Sequence, residues 1–203
     1  MSTRRQDKRA EIARAAVRPL SAQGVNNVRL SDLGESLGMT GAHLLYYFDS
    51  KNDLFMAALQ IVEQDLRDHV LRAFESMPSA RERWEWLLDT GAPAGLDDSG
   101  LLMWLEAWAG AVHQKDVLEL ISDLEARWQG LLRDTLGYAV ERGELPGDID
   151  LDLIVEGVSA LLDGLTIRVV VGYRPVDHDH AMRIVQRFVG PLLPWHEVAG
   201  GEA

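Results

Sequence analysis

The sequence predicts an all-α fold: an N-terminal three-helix domain over residues 1–51 and a longer helical domain over residues 52–203. Three observations carry this. Apolar residues recur at helical spacing along the whole chain, as at Ile12, Ala16 and Leu20, or Leu30, Leu33 and Leu37. No alternating apolar–polar run is long enough for a sheet, and no internal repeat is present. Glycines and prolines that stop helices, and Ser, Thr or Asp residues that start them, punctuate the chain at helical intervals.

In order, the first helix covers about residues 5–22, with Val17 widening its apolar stripe and Gly24 as its stop. LSDLGESLGM forms a short second helix that breaks at Gly38, with Ser31 or Asp32 as its cap and Asp32–Glu35 at capping-box spacing. Thr40 caps a third helix to about Tyr47, and Ser50 with Asp53 starts a fourth through Leu54, Phe55, Ala58, Ile61, Val62 and Leu66. Beyond Pro78, helices are expected near 80–90, 100–113, 116–142 and, after a cap at Asp150 or Asp152, to about Val170. The last runs from about 178 to 190 and stops at Pro191, and the tail WHEVAGGEA is expected to fray.

The composition excludes several classes. With no cysteine there is no disulfide framework, thiolate metal site or cysteine nucleophile. No stretch reads as a signal peptide or a membrane span, so a cytoplasmic location is expected. A phosphate-binding loop, a G-x-S-x-G elbow and an H-E-x-x-H pair are all missing, and the six histidines are scattered, so no enzyme and no cofactor are expected. In DHDH at 177–180 the two histidines would point about 200° apart on a helix, which suits no shared metal; Asp177 reads instead as a cap. The net charge of −12 is uneven: residues 1–51 hold eight Lys/Arg against five acids, +3, and the remainder 12 against 27, −15. A mildly basic head on an acidic body can face a polyanion.

Two short helices with a three-residue turn, the second opening Thr-Gly-Ala-His, describe a helix-turn-helix. A helix enters the major groove only if its leading residues are small or polar and its back is anchored by apolar side chains. Thr40, Gly41, Ala42 and His43 supply the front, while Leu33, Leu37, Leu44 and Phe48, over Ile12 and Ala16, supply the anchor. Arg29, Ser31, Tyr46, Tyr47 and Lys51 complete the candidate DNA-binding set, with an Arg4/Arg5 arm beside it. The alternative is a helical protein-interaction module of the same fold without specific DNA binding.

GVNNVRLSDLGESLGMTGAHLLYYFDSKNDLF resembles the N-terminal module of TetR-family transcriptional repressors, through Gly24, Gly38, Tyr46-Tyr47-Phe48, Ser50-Lys51 and Leu54. Two positions depart from that pattern. Arg29 stands where the family usually has a capping Thr or Ser, and Leu44-Leu45 stands where it favours Leu-Tyr. The later chain is similar to the BetI-type branch, through Trp104-Leu105-Glu106-Ala107-Trp108, Gly143-Glu144-Leu145 and Asp163-Gly164-Leu165. The resemblance implies a homodimer that binds palindromic operator DNA as a repressor and is released by a small-molecule effector.

The residues add two expectations of their own. Helix 151–170 and the last helix offer Ile154, Gly157, Val158, Leu161, Gly164, Leu165, Met182, Val185 and Val189 for a four-helix dimer interface. Trp84, Trp104, Trp108 and Trp128 with Glu106 and His113 suggest a cage for a cationic amine, the choline of BetI-type relatives being the implied example; a plain aromatic core is the competing reading.

Overall fold

The computed structural model describes residues 3–174 and 176–196. Among these residues the chain forms nine α-helices and a 3₁₀ turn: α1 Thr3–Gln23, α2 Leu30–Ser36, α3 Gly41–Tyr47, α4 Lys51–Phe74, α5 Ala80–Gly91, α6 Ser99–Ala111, α7 Lys115–Glu141, α8 Leu151–Val171 and α9 His178–Val189, with the turn at Gly190–Leu192. Each lies within a few residues of its expected span, because the caps that mark it are present. Thr40, Ser79, Asp98, Asp150 and Asp177 each accept a backbone N–H three residues on. α2 lacks the side-chain cap expected for it. It starts at Leu30 behind Arg29, which makes no side-chain cap bond, and Ser31 donates to Asp32 instead of capping. Residues 197–203 of the tail lie outside the described residues.

The helices group into two compact units, up to Asp68 with Asp98–Leu124, and His69–Asp97 with the residues from Glu125 onward. This division does not follow the boundary at residue 51 read from the sequence. Leu54, Phe55 and Ala58 of α4, and Met103 and Ala107 of α6, are buried in one core with Ile12, Ala16, Leu20, Leu33, Leu44 and Phe48. Each large side chain fully buried there contributes about 1.5–3 kcal/mol. The helix-turn-helix therefore rests on α4 and α6 as well as α1.

In the second unit, Trp84, Leu87, Leu132, Leu136, Val158, Leu162, Leu165 and Val185 are buried. Its polar anchor is Glu144, just after α7. The Glu144 carboxylate accepts from Ala80 N at 3.3 Å, Arg81 N at 3.2 Å and Arg142 Nε at 2.7 Å, so it caps α5. Burial raises its pKa, but Arg142 and the two amides outweigh that and hold it below the usual range. This gives the Gly143-Glu144-Leu145 turn a physical account: Gly143, at φ +70°, ends α7 and delivers the carboxylate.

The expected dimer residues divide. Ile154, Val158, Leu165, Val185 and Val189 are buried inside the second unit itself, so that part of the expectation is corrected. The apolar flank of an amphipathic helix faces its own core first. Gly157 and Gly164 are exposed, and Leu161 and Met182 are half-buried.

Candidate nucleic-acid interface

The candidate recognition element is α3. Its front is bare, with Ala42 and His43 exposed, and its back is held by fully buried Leu44. Thr40 Oγ1 accepts from His43 N at 3.1 Å, which satisfies one free amide of the helix start. Gly41 lies against α2: a Cβ there would stand 3.3 Å from Leu30 O. Gly34, unassigned by the sequence reading, makes the close turn feasible. A Cβ on it would fall 2.8 Å from Gly41 N and 2.9 Å from Met39 O, distances no side chain tolerates against backbone. A lone glycine inside a short helix was the only signal for this.

The aromatic knot splits by role. Phe48 is buried, Tyr47 is half-buried in edge contact with Tyr46 at 5.0 Å, and Tyr46 is 62% exposed. His43 lies 5.6 Å from the Tyr47 ring, so the two act as one surface. Leu45, where the family favours tyrosine, is 50% exposed. Arg29 and Ser31 at the start of α2 are exposed.

The basic residues of α1 mostly have partners. Arg9 donates to Tyr47 O at 2.8 Å and to both Asp53 oxygens at 3.1 and 2.6 Å, with its guanidinium 4.5 Å from the Phe48 ring centre. Arg5 donates to Tyr46 O at 2.8 Å and lies over the Tyr46 ring. Two arginines thus take up carbonyls at the end of α3, where a helix attracts cations. The Arg9 guanidinium holds the Asp53 carboxyl below its usual range. Lys51 Nζ, expected in the DNA-binding set, donates to Val28 O at 2.8 Å and so fastens the turn before α2. Arg4 remains exposed.

The candidate ligand residues fall in different units. In the first, Trp104 donates its indole N–H to Glu63 and stands 5.8 Å from Trp108, Glu106 accepts from Val25 N, and His113 is exposed. In the second, Trp84 is buried in the core, and Trp128 is packed so closely that a Cβ on Gly91 would lie 2.8 Å from its ring. His178, read as no metal ligand, faces Asp89 Oδ1 at 3.0 Å and Pro93 O at 3.2 Å.

Comparison with known proteins identifies this architecture. Residues 12–58 match the family model described as bacterial regulatory proteins, tetR family, and residues 80–194 match BetI-type transcriptional repressor, C-terminal. The chain belongs to the TetR family. It is therefore a transcriptional regulator rather than an enzyme, with the DNA-binding helices at its N-terminus. Similar TetR-family proteins include the HTH-type transcriptional regulator BetI of Klebsiella pneumoniae (strain 342), 25% identical over 190 residues, covering 92% of this chain and 94% of that one. BetI of Rhizobium meliloti (strain 1021) is 27% identical over 187 residues, with 92% and 89% covered. Among solved structures, a protein of Saccharomonospora viridis in complex with choline superposes with a TM-score of 0.83 at 27% identity, covering 95% of this chain and all of that one. No helix among the described residues of this TetR-family chain is long and apolar enough to cross a membrane.

Proposed function

We propose that the protein is a repressor that binds palindromic operator DNA as a homodimer and is released by a small organic cation. The observation that carries the DNA reading is α3 itself: a capped helix with an exposed Thr-Gly-Ala-His front, locked from behind by Leu44 and from its end by Arg5 and Arg9. His43 is the side chain there best able to read a base edge, while Arg29, Ser31, Thr40 and Tyr46 border it. Gly41 and Ala42 let the backbone approach, and Tyr47 orients His43. Lys51 acts through the Val28 turn. His43→Ala should relax discrimination at one or two base pairs; unchanged discrimination in a mutated-operator series would refute this placement of α3.

For the dimer, α8 offers Leu153, Gly157, Ala160, Gly164, Ile167 and Val171, all exposed, at the alternating four- and three-residue spacing of a helix seam. Leu153 is 69% exposed, and Phe188 of α9 is 67% exposed. Small residues at the middle of the seam allow two helices to approach closely. A two-fold dimer through it would set two recognition helices about 34–36 Å apart, one DNA turn.

The effector reading is supported by the choline complex of the Saccharomonospora viridis relative. Within the first unit, the Trp104–Trp108 pair with Glu63 has the aromatic and anionic character a quaternary amine requires. Within the second, burial and then the charge of Glu125, which lies one helical turn before Trp128 on α7, raise the Asp163 carboxyl. Choline titrated against tryptophan fluorescence, with DNA release read in parallel, tests this. Saturation below millimolar choline with release is expected; no saturation removes the cation reading.

A further inference from the structure

The carboxylate of Glu106 leaves α6 toward the turn between α1 and α2. Its Oε2 accepts from Val25 N at 3.0 Å, and its Oε1 lies 2.9 Å from where a Cβ on Gly24 would stand. Gly24 has φ +78°, its N–H closes α1 on Leu20 O at 2.9 Å, and its carbonyl accepts from Asn27 N and Val28 N at 3.1 and 3.2 Å. The turn thus folds around a residue held in a left-handed backbone, and the Glu106 carboxylate occupies the space beside it that a Cβ would take. Val28 O is in turn held by Lys51 at the start of α4. Trp104, two residues before Glu106 on α6, fastens that helix to Glu63 of α4.

We propose that Glu106 is the positioning residue through which α6 sets the DNA-binding helices. With α6 where it stands, the carboxylate holds Val25, and α2 and α3 follow from that turn in fixed register. A displacement of α6 withdraws the acceptor and frees the turn. The proposal rests on the DNA-binding reading and deepens it, since it names the contact by which movement of a regulatory helix reaches α3.

The test uses full-length Glu106→Gln, Glu106→Ala and Glu106→Asp, with two readouts: hydrogen exchange of the Val25 amide, and affinity for a duplex from the flank of the protein's own gene. Gln keeps an acceptor at the same reach, whereas Asp keeps the charge but is one methylene short. Ala and Gln carry equal charge, so a difference between them cannot come from altered phosphate repulsion. Ala and Asp should speed Val25 exchange and weaken operator binding by about tenfold each, as expected for loss of one hydrogen bond to a charged acceptor. Gln should stay within about threefold of wild type in both. Val25 protection unchanged in Asp or Ala, or operator binding by Asp equal to wild type, overturns the proposal. Should Ala fail to fold, the Asp–Gln pair decides alone. Wild-type protein that prefers its own flank no more than random DNA contradicts the operator assignment instead, and the Val25 exchange still judges Glu106.

Discussion

The Arg9–Asp53 clamp gives the sharpest energetic prediction. The pair is bidentate, with contacts of 2.6 and 3.1 Å, and its side chains are 30% and 24% exposed. Exposed ion pairs contribute about 0–1 kcal/mol, and breaking fully buried ones costs about 3–5 kcal/mol. The geometry places this pair between those limits, at about 2 kcal/mol of coupling. Arg9→Ala loses more, because Tyr47 O at the end of α3 also loses its donor. In a double-mutant cycle by urea unfolding, Arg9→Ala, Asp53→Ala and the double variant should give a coupling energy of about 2 kcal/mol. Asp53 is held below its ordinary range in the folded chain, so its contribution is present above an unfolded pKa of about 4 and is lost as pH falls through the folded value. The coupling should therefore survive at pH 6 and fade below pH 4. DNA binding separates clamp from contact. If Arg9 serves to hold α3, Asp53→Ala weakens operator binding although it removes a negative charge. If Arg9 meets phosphate directly, Asp53→Ala frees it and binding tightens. Tighter binding, or coupling under about 0.5 kcal/mol, would mean that the Arg9–Asp53 pair does not hold α3.

Other expectations follow from single side chains. A Cβ on Gly164 would meet nothing within 4 Å inside its own chain, so Gly164→Leu should fold with an unchanged helical spectrum yet run as a monomer in light scattering; a stable dimer contradicts the α8 seam. Burial, then the charge of Glu125, pushes the Asp163 carboxyl from 3.8 to about 6. A carboxyl raised on folding contributes stability below about pH 4 that is lost as pH rises through 6. Asp163→Asn should therefore be the more stable protein at pH 7.5, by about 1 kcal/mol after screening by solvent, with the difference vanishing near pH 4. A melt series over that range measures it. Glu144→Ala leaves the Ala80 and Arg81 amides and Arg142 without their acceptor, and should cost about 3 kcal/mol, lowering the melting temperature by about 6–12 °C.

Helix order and most helix ends were legible because they rest on local chemistry: Thr40, Asp150 and Asp177 cap what their sequence neighbours suggest. The small front and apolar back of α3 were legible for the same reason. What was not legible depends on residues far apart in the chain. Nothing near Glu106 announces that its partner is Val25, 81 positions earlier, and an acid between tryptophans read as part of a cage. Nothing near Arg9 announces its partner Asp53, 44 residues on. The apolar flank of α8 expected at a dimer interface is instead buried within the chain itself. Ile154, Val158 and Leu165 are the more apolar side, and that side goes to the chain's own core, leaving the small-residue flank outside.

Sequence-selective DNA binding through α3 can be measured by fluorescence polarisation against the flank of the protein's own gene, at about 50 and 200 mM salt. A dimer should bind this duplex far more tightly than random DNA of equal length. Its affinity should fall steeply with salt, because binding neutralises phosphates, and His43→Ala should reduce the selectivity. Equal affinity for flank and random DNA at both salts, unchanged by His43→Ala, would contradict selective binding through α3.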